Sequence, residues 1–147
     1  MADMFSPKQR SEIMSRVKGR ENEATEVRLI QILRKYRITG WRRRAAIFGK
    51  PDFIFPAAHL AVFTDGCFWH GCPTHGSIPA TNRSFWKAKL NKNKMRDKVV
   101  NRRLKRTGWY VLRIWQHELR TPDKVARRIS VALARRRPGL RVRPLSR

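Results

Sequence analysis

Residues 60–63, Leu-Ala-Val-Phe, carry no polar side chain and run straight into Thr64, Asp65, Gly66 and Cys67. A strand that is apolar at every position, not at alternate ones, is usually buried on both faces of its sheet. The segments around it supply the cover. Residues 22–37 read as a helix capped by Asn22, with Glu23 and Glu26 at its positive end and Leu29, Leu33 and Tyr36 on one face. Asp52–Phe55 reads as a short strand closed by Pro56. Residues 84–106 read as a basic helix with Ser84 as cap and Gly108 just beyond, and Trp109–Trp115 as a further strand. Thr121, Pro122 and Asp123 open a last helix whose apolar face is Val125, Ile129 and Ala132 or Leu133. The order helix, strands, helix, strand, helix is that of an α/β domain with a small central mixed sheet flanked by helices.

The 147 residues suit one domain. Its expected limits are 22–136, preceded by a polar, DNA-contacting arm or short helix over 1–21 and followed by a disordered Pro- and Arg-rich tail over 137–147. Thirty-five Lys and Arg against ten Asp and Glu give a formal charge of +25. Repulsion on that scale disfavours a compact fold unless anions neutralise it, and nucleic acid is the commonest such partner. A membrane is the rival, but the chain has no long apolar run and no basic helix with a Trp/Leu face. The opening MADMFSPKQR has no apolar core of a signal peptide, so a cytoplasmic, nucleoid-associated location is expected.

The segment FTDGCFWHGCPTHG, residues 63–76, holds both cysteines. In a reducing cytosol they read as free thiols or metal ligands. Cys67, Cys72 and His75 follow one another at C-x4-C-x2-H spacing, and His117 lies just past the later strand. Two thiolates and two imidazoles suit tetrahedral Zn²⁺ in a closed, structural site. The same residues also read as two buried thiols beside unrelated histidines.

Asp52 and Asp65 stand on neighbouring strands, where their carboxylates can approach a Mg²⁺ ion able to polarise a phosphodiester. Glu26 can reach the waters of that ion, and His70 is the natural general base. The rival readings are an Asp–Arg pair, a helix-end Glu26 and a zinc-binding His70. Phe68, Trp69 and Trp86 are flat side chains able to unstack bases, or else core residues. Lys89 and Asn93 share a helix face with Trp86 and have the chemistry to read base edges.

The runs GKPDFIF and VFTDGCFWHGC, the later FWKAKLNKNKMRD and the strand GWYVLRIWQHEL closely resemble the very short patch repair endonucleases. The similarity extends from about Arg10 to Leu119. It implies a restriction-endonuclease-like, PD-(D/E)xK-type fold. It also implies an enzyme that nicks one strand of duplex DNA 5′ to the thymine of a T·G mismatch. By that resemblance Asp52 and the backbone carbonyl of Thr64 hold Mg²⁺, His70 is the base, and Glu26 lies near the metal waters. Phe68, Trp69 and Trp86 match intercalating aromatics, Met14 matches a residue entering from the other groove, and Lys89 and Asn93 face the mismatched pair. Cys67 and His117 match zinc positions, and Cys72 and His75 fit with slightly shifted spacing. The chain departs from the pattern at Asp65, where the best-known members have histidine, at His117, where they have cysteine, and in lacking the superfamily lysine after Asp65.

The resulting expectation is a zinc-stapled, Mg²⁺-dependent mismatch endonuclease, monomeric and working beside repair proteins. The alternatives are a nuclease of the same fold acting on other DNA structures or invading DNA, and a non-catalytic DNA-binding module.

Overall fold

A computed structural model describes residues 6–74 and 77–136. The expected zinc ligand His75 and the tail 137–147 lie outside the described residues.

Helix α1 spans Pro7–Lys35. It begins well before Asn22, which corrects the expected helix start. The cap is Ser6: its hydroxyl accepts from the Gln9 N–H at 3.2 Å, and the Ser6 N–H donates back to Gln9 Oε1 at 3.0 Å. This reciprocal pairing, with Pro7 in the first turn, is a strong helix-start signal. Asn22 sits inside the helix, its carbonyl accepting from the Thr25 hydroxyl at 2.8 Å. Residues 7–21 therefore continue the helix whose second half carries Leu29, Ile32 and Leu33 into the core.

Four strands form one sheet in the order β1 (Arg42–Arg43), β2 (Phe53–Phe55), β3 (Leu60–Asp65), β4 (Tyr110–Trp115). β1, β2 and β3 pair antiparallel, and β3 pairs β4 in parallel, with Leu60 opposite Tyr110 and Asp65 opposite Trp115. A parallel pair needs a crossover, and helix α2 (Arg83–Arg106) is part of it. Helix α2 starts one residue before Ser84, and its cap position is Asn82. A 3-10 turn over Gln116–Arg120 then leads into helix α3 (Pro122–Arg136).

All six residues of β3 are buried, as the apolar run requires. Phe53, Leu60, Val62, Leu112 and Ile114 pack on one side with Leu29 and Leu33 of α1 and Val125 and Ile129 of α3. On the other side Ile54, Ala61 and Phe63 pack against Val100 and Leu104 of α2. Strand alternation puts Asp65 and Arg113 on this α2 side, at the end of the sheet where β3 stops.

Ile114 is fully buried between β3 and α3. Ile114→Ala should destabilise the fold by roughly 2–5 kcal/mol in urea unfolding. Val131→Ala, at a 44% exposed position of α3, should change stability by less than about 0.5 kcal/mol. Equal effects at the two positions would be incompatible with this core.

Candidate functional site

Where β3 ends, a cleft of about 520 Å³ opens between the sheet, α2 and the loop before β2. Asp52, Thr64, Asp65, His70, Asp97 and Arg113 all line it. Asp52 immediately precedes β2, and its Oδ2 accepts from the Thr64 N–H at 2.8 Å and the Thr64 hydroxyl at 3.1 Å. Its carboxyl also meets that of Glu26 on α1. Glu26 in turn accepts from Arg43 at 2.7 Å. Burial, followed by the hydrogen bond with Glu26, pushes the Asp52 pKa up to about 7, against the two Thr64 donors that favour the anion. Two carboxyl groups crowded into a poorly hydrated corner hold a proton between them, and a hard divalent cation fits the same place. Asp52, Glu26 and Thr64 thus have the donor chemistry for such an ion.

Asp65 is committed elsewhere. Both of its oxygens accept from Arg113, at 3.0 and 3.1 Å. Arg113 also donates to Asn101 Oδ1 at 2.8 Å, lies 3.6 Å from Asp97, and stacks 4.3 Å from the Phe63 ring centroid. Asp52, Glu26 and Asp65 do not converge as one set of ligands within 4.8 Å: among the described residues the grouping of that kind is Cys67, Cys72 and His117. Burial raises the Asp65 pKa, opposed by the charges of His70 and Arg113.

His70 joins this network through Nδ1, which lies 2.7 Å from Asp97 Oδ2 and 3.7 Å from Asp65 Oδ1. Burial works to raise the Asp97 pKa, but the His70 hydrogen bond and the charges of His70, Arg113 and Arg96 outweigh it. Asp97 therefore stays below the ordinary carboxylate range. In the neutral imidazole, an ionised carboxylate on Nδ1 favours the tautomer whose Nε2 accepts a proton. Asp97 and Arg113 were absent from the candidates read from sequence. The available signals were local ones. Asp97 is the one acid in a helix of otherwise basic charges, and Arg113 interrupts the apolar strand WYVLRIW.

On the far side of the loop, Cys67 Sγ lies 3.3 Å and Cys72 Sγ 3.6 Å from His117 Nδ1. The three ligand atoms lie within 4.8 Å of one another, so they can bind a metal ion and tie the loop to the residues after β4. Burial, and then the neighbouring Cys72, raise the Cys67 thiol, partly offset by the backbone N–H groups of His117 and Gln116. A cation there would favour the thiolates instead.

The aromatic residues form one edge-to-face cluster. Ring centroids are 4.9 Å apart for Phe68–Trp69, 5.4 Å for Phe68–Trp86 and 6.1 Å for Trp69–Trp86. Trp69 is only 3% exposed and Trp86 7%, so they are packed here and do not project as a wedge. Phe85, absent from the sequence candidates, is 41% exposed and extends the cluster at 5.2 Å from Trp86. Asn93 turns inward and donates to the Trp69 carbonyl at 3.0 Å. Lys89 Nζ lies 5.9 Å from both the Trp69 and Phe85 rings. Met14 is half-buried in the first half of α1.

Residues 2–75 match the family model of the DNA mismatch endonuclease Vsr. The chain is also 35% identical over 126 residues to the DNA mismatch endonuclease Vsr of Escherichia coli (strain K12), covering 85% of this chain and 80% of that protein. The chain belongs to the Vsr family. This Vsr family member is accordingly a DNA-cleaving hydrolase, and its substrate is DNA. It is 37% identical over 119 residues to the type II nicking enzyme V.NmeDIP of Neisseria meningitidis serogroup C, covering 80% of each chain. It is 55% identical over 69 residues to the type II nicking enzyme V.NaeI of Lentzea aerocolonigenes, a match that spans 47% of this chain and 42% of that protein. Among the described residues of this Vsr family member, no helix is long and apolar enough to cross a membrane.

Elemental analysis of the purified protein should find close to one thiolate-bound metal per chain. Cys67→Ser should remove it and lower the stability by on the order of several kcal/mol, because metal binding and folding are coupled. A metal-free wild type with unchanged unfolding midpoint would rule out the staple.

Proposed function

We propose that the protein is a Mg²⁺-dependent endonuclease of restriction-endonuclease-like fold that nicks one strand of duplex DNA 5′ to the thymine of a T·G mismatch. The observation that carries this reading is a single cleft holding Asp52, beside Glu26 and Thr64, together with a His70–Asp97 pair. Asp52, the Thr64 carbonyl and, through water, Glu26 would hold the ion. Mg²⁺, when bound, supplies positive charge at the phosphodiester. His70 accepts the proton of the attacking water at Nε2, while Asp97 holds Nδ1. Asp65 acts with Arg113 to steady that pair.

Zn²⁺ is the proposed occupant of the Cys67, Cys72 and His117 site, with His75 as fourth ligand. Thiolates with imidazole favour it over harder ions. Phe68, Trp69 and Trp86 are the proposed wedge, which must leave its packed cluster as DNA binds; Met14 is its counterpart across the duplex, and Lys89 and Asn93 are the residues near the mismatch. Unstacking costs least where pairing is already weak, which favours a T·G step. The charge of +25 adds affinity that does not depend on sequence. In this reading residues 22–136 are the nuclease domain, and the arm over 1–21 contacts DNA. The protein works as a cytoplasmic, nucleoid-associated monomer with repair proteins. A second reading, nicking of a different DNA structure, is favoured by the burial of Trp69 and Trp86.

The decisive experiment compares a duplex containing one T·G mismatch with its fully paired counterpart, in Mg²⁺. The mismatched strand should be nicked 5′ to the thymine at least about 10²-fold faster, and equal rates would favour the second reading. Asp52→Ala should lower nicking by about 10³-fold while DNA affinity changes less than threefold, as expected when a group acts on the reaction and not on binding.

The Asp52 pKa adds a pH signature. The folded chain holds this proton up to about pH 7, whereas the unperturbed value is 3.8. The metal-free protein should therefore be most stable at low pH with respect to this group, and should lose that contribution as pH rises from about 4 through about 7. Mg²⁺ replaces the proton. Calorimetry in two buffers of different ionisation enthalpy should detect proton release on Mg²⁺ binding at pH 6 and almost none at pH 8.5. Proton-independent binding at pH 6 would show that the ion does not displace a proton from Asp52.

A further inference from the structure

Lys50 adopts a backbone conformation that its side chain and its neighbour both disfavour. Its φ is +49°, in the left-handed region that suits glycine. It precedes Pro51, and a residue before proline is ordinarily driven to extended backbone. Its surroundings hold the turn closely. Gly49, at φ +81°, is pressed so closely on α2 that a Cβ there would lie 2.4 Å from Val100 Cγ1. The Lys50 N–H donates to the Ile47 carbonyl at 3.1 Å, and Pro51 is fully buried. Glycine at position 50 would relax this turn, yet the chain carries a long cationic side chain. Strain of this kind persists where the structure over-determines it, and it clusters at functional sites.

The position explains what such a side chain can reach. Lys50 lines the main cleft with Asp52, Thr64 and His70, and also lines the smaller cavity containing Glu26 and Asp52. It thus flanks Asp52 on both sides. The other cations nearby are committed: Arg113 to Asp65 and Asn101, and Arg43 to Glu26. Arg96 lines the cleft and acts on Asp97. A phosphodiester entering a cleft lined by Asp52, Asp65 and Asp97 meets three acids, and a side-chain cation at the Asp52 end would add to the charge that a bound ion supplies.

We propose that Lys50 is a catalytic residue whose ammonium pairs with a non-bridging oxygen of the scissile phosphodiester beside Asp52. This rests on the nuclease reading above. Lys50 itself makes and breaks no covalent bond. The water oxygen bonds to phosphorus as the bond from phosphorus to one ester oxygen breaks, the water proton passes to His70, and the departing oxygen takes a proton from solvent. Lys50 stabilises the negative charge that builds on the phosphoryl oxygens during this exchange.

The test uses the full chain and Lys50→Gly, a substitution that suits the backbone at this position. On whichever duplex the wild type nicks in Mg²⁺, Lys50→Gly should lower kcat by about 10²–10³-fold. KM and DNA Kd should stay within threefold, and the melting temperature should be unchanged or raised. Lys50→Arg, which keeps the charge, should recover activity to within about tenfold of wild type. Nicking by Lys50→Gly within threefold of wild type overturns the proposal. So does a loss seen only in KM, or a Lys50→Arg variant as impaired as Lys50→Gly. A wild type that nicks paired and mismatched duplex equally removes the T·G reading and leaves the Lys50 comparison intact. A wild type that nicks neither overturns both.

Discussion

Burial of β3 on both faces is the constraint from which the other features follow. A strand with six buried residues must have a helix layer on each side, and α1 with α3 on one side and α2 on the other provide it. The strand can leave that sandwich only at its end, and there the chain changes character from Val-Phe to Thr-Asp-Gly-Cys. Thr64 and Asp65 are still buried, so their polar groups need partners. Those partners are Asp52 from β2's leading edge and Arg113 from β4. The cleft is thus a product of how a buried strand terminates among polar neighbours.

Within the cleft, electrostatics separates two carboxylate environments. Asp52 is buried and shares a hydrogen bond with Glu26, which Arg43 pairs, so Asp52 retains a proton up to about pH 7. Asp65 and Asp97 share Arg113 and His70. The first environment calls for an added cation; the second already contains its own. Four of the chain's ten acids, Glu26, Asp52, Asp65 and Asp97, meet at this cleft and the cavity beside it, in a protein whose formal charge of +25 otherwise suits the DNA backbone.

Much of this was legible in the residues, for physical reasons that can be stated. Strand β3 announced itself by an unbroken apolar run, β4 by a run that only Arg113 interrupts, and α3 by its Thr-Pro-Asp opening. The Cys67–Cys72–His117 grouping followed from spacing plus the position of His117 just after a strand. The start of α1 was hidden because its first half packs little and so lacks apolar periodicity, although the Ser6–Gln9 cap was present in the letters. The two-residue strand β1 is too short to show any period. Long-range pairs were the other gap. Asp65 with Arg113 spans 48 positions, and His70 with Asp97 spans 27. No local pattern encodes such pairings, since they are decided by which faces of β3, β4 and α2 meet. Trp69 and Trp86 read as projecting wedges because their chemistry suits DNA, but their burial depends on how the loop folds back over α2.

Helix α2 ties together groups assigned to different tasks. Trp86 belongs to the aromatic cluster, Asn93 holds the Trp69 carbonyl, and Asp97 holds His70. Asn93 and Asp97 are one helical turn apart, about 6 Å along the axis. The helix is in this sense a rigid rod with the loop that carries Trp69 attached at one notch and the proposed base at the next. A single-residue insertion between the two would turn them about 100° out of phase. Displacing the aromatic cluster by a fraction of a turn would likewise be felt at the imidazole. Under the proposed function, recognition of a distorted duplex and readiness to cut it would be two readings of one mechanical coordinate.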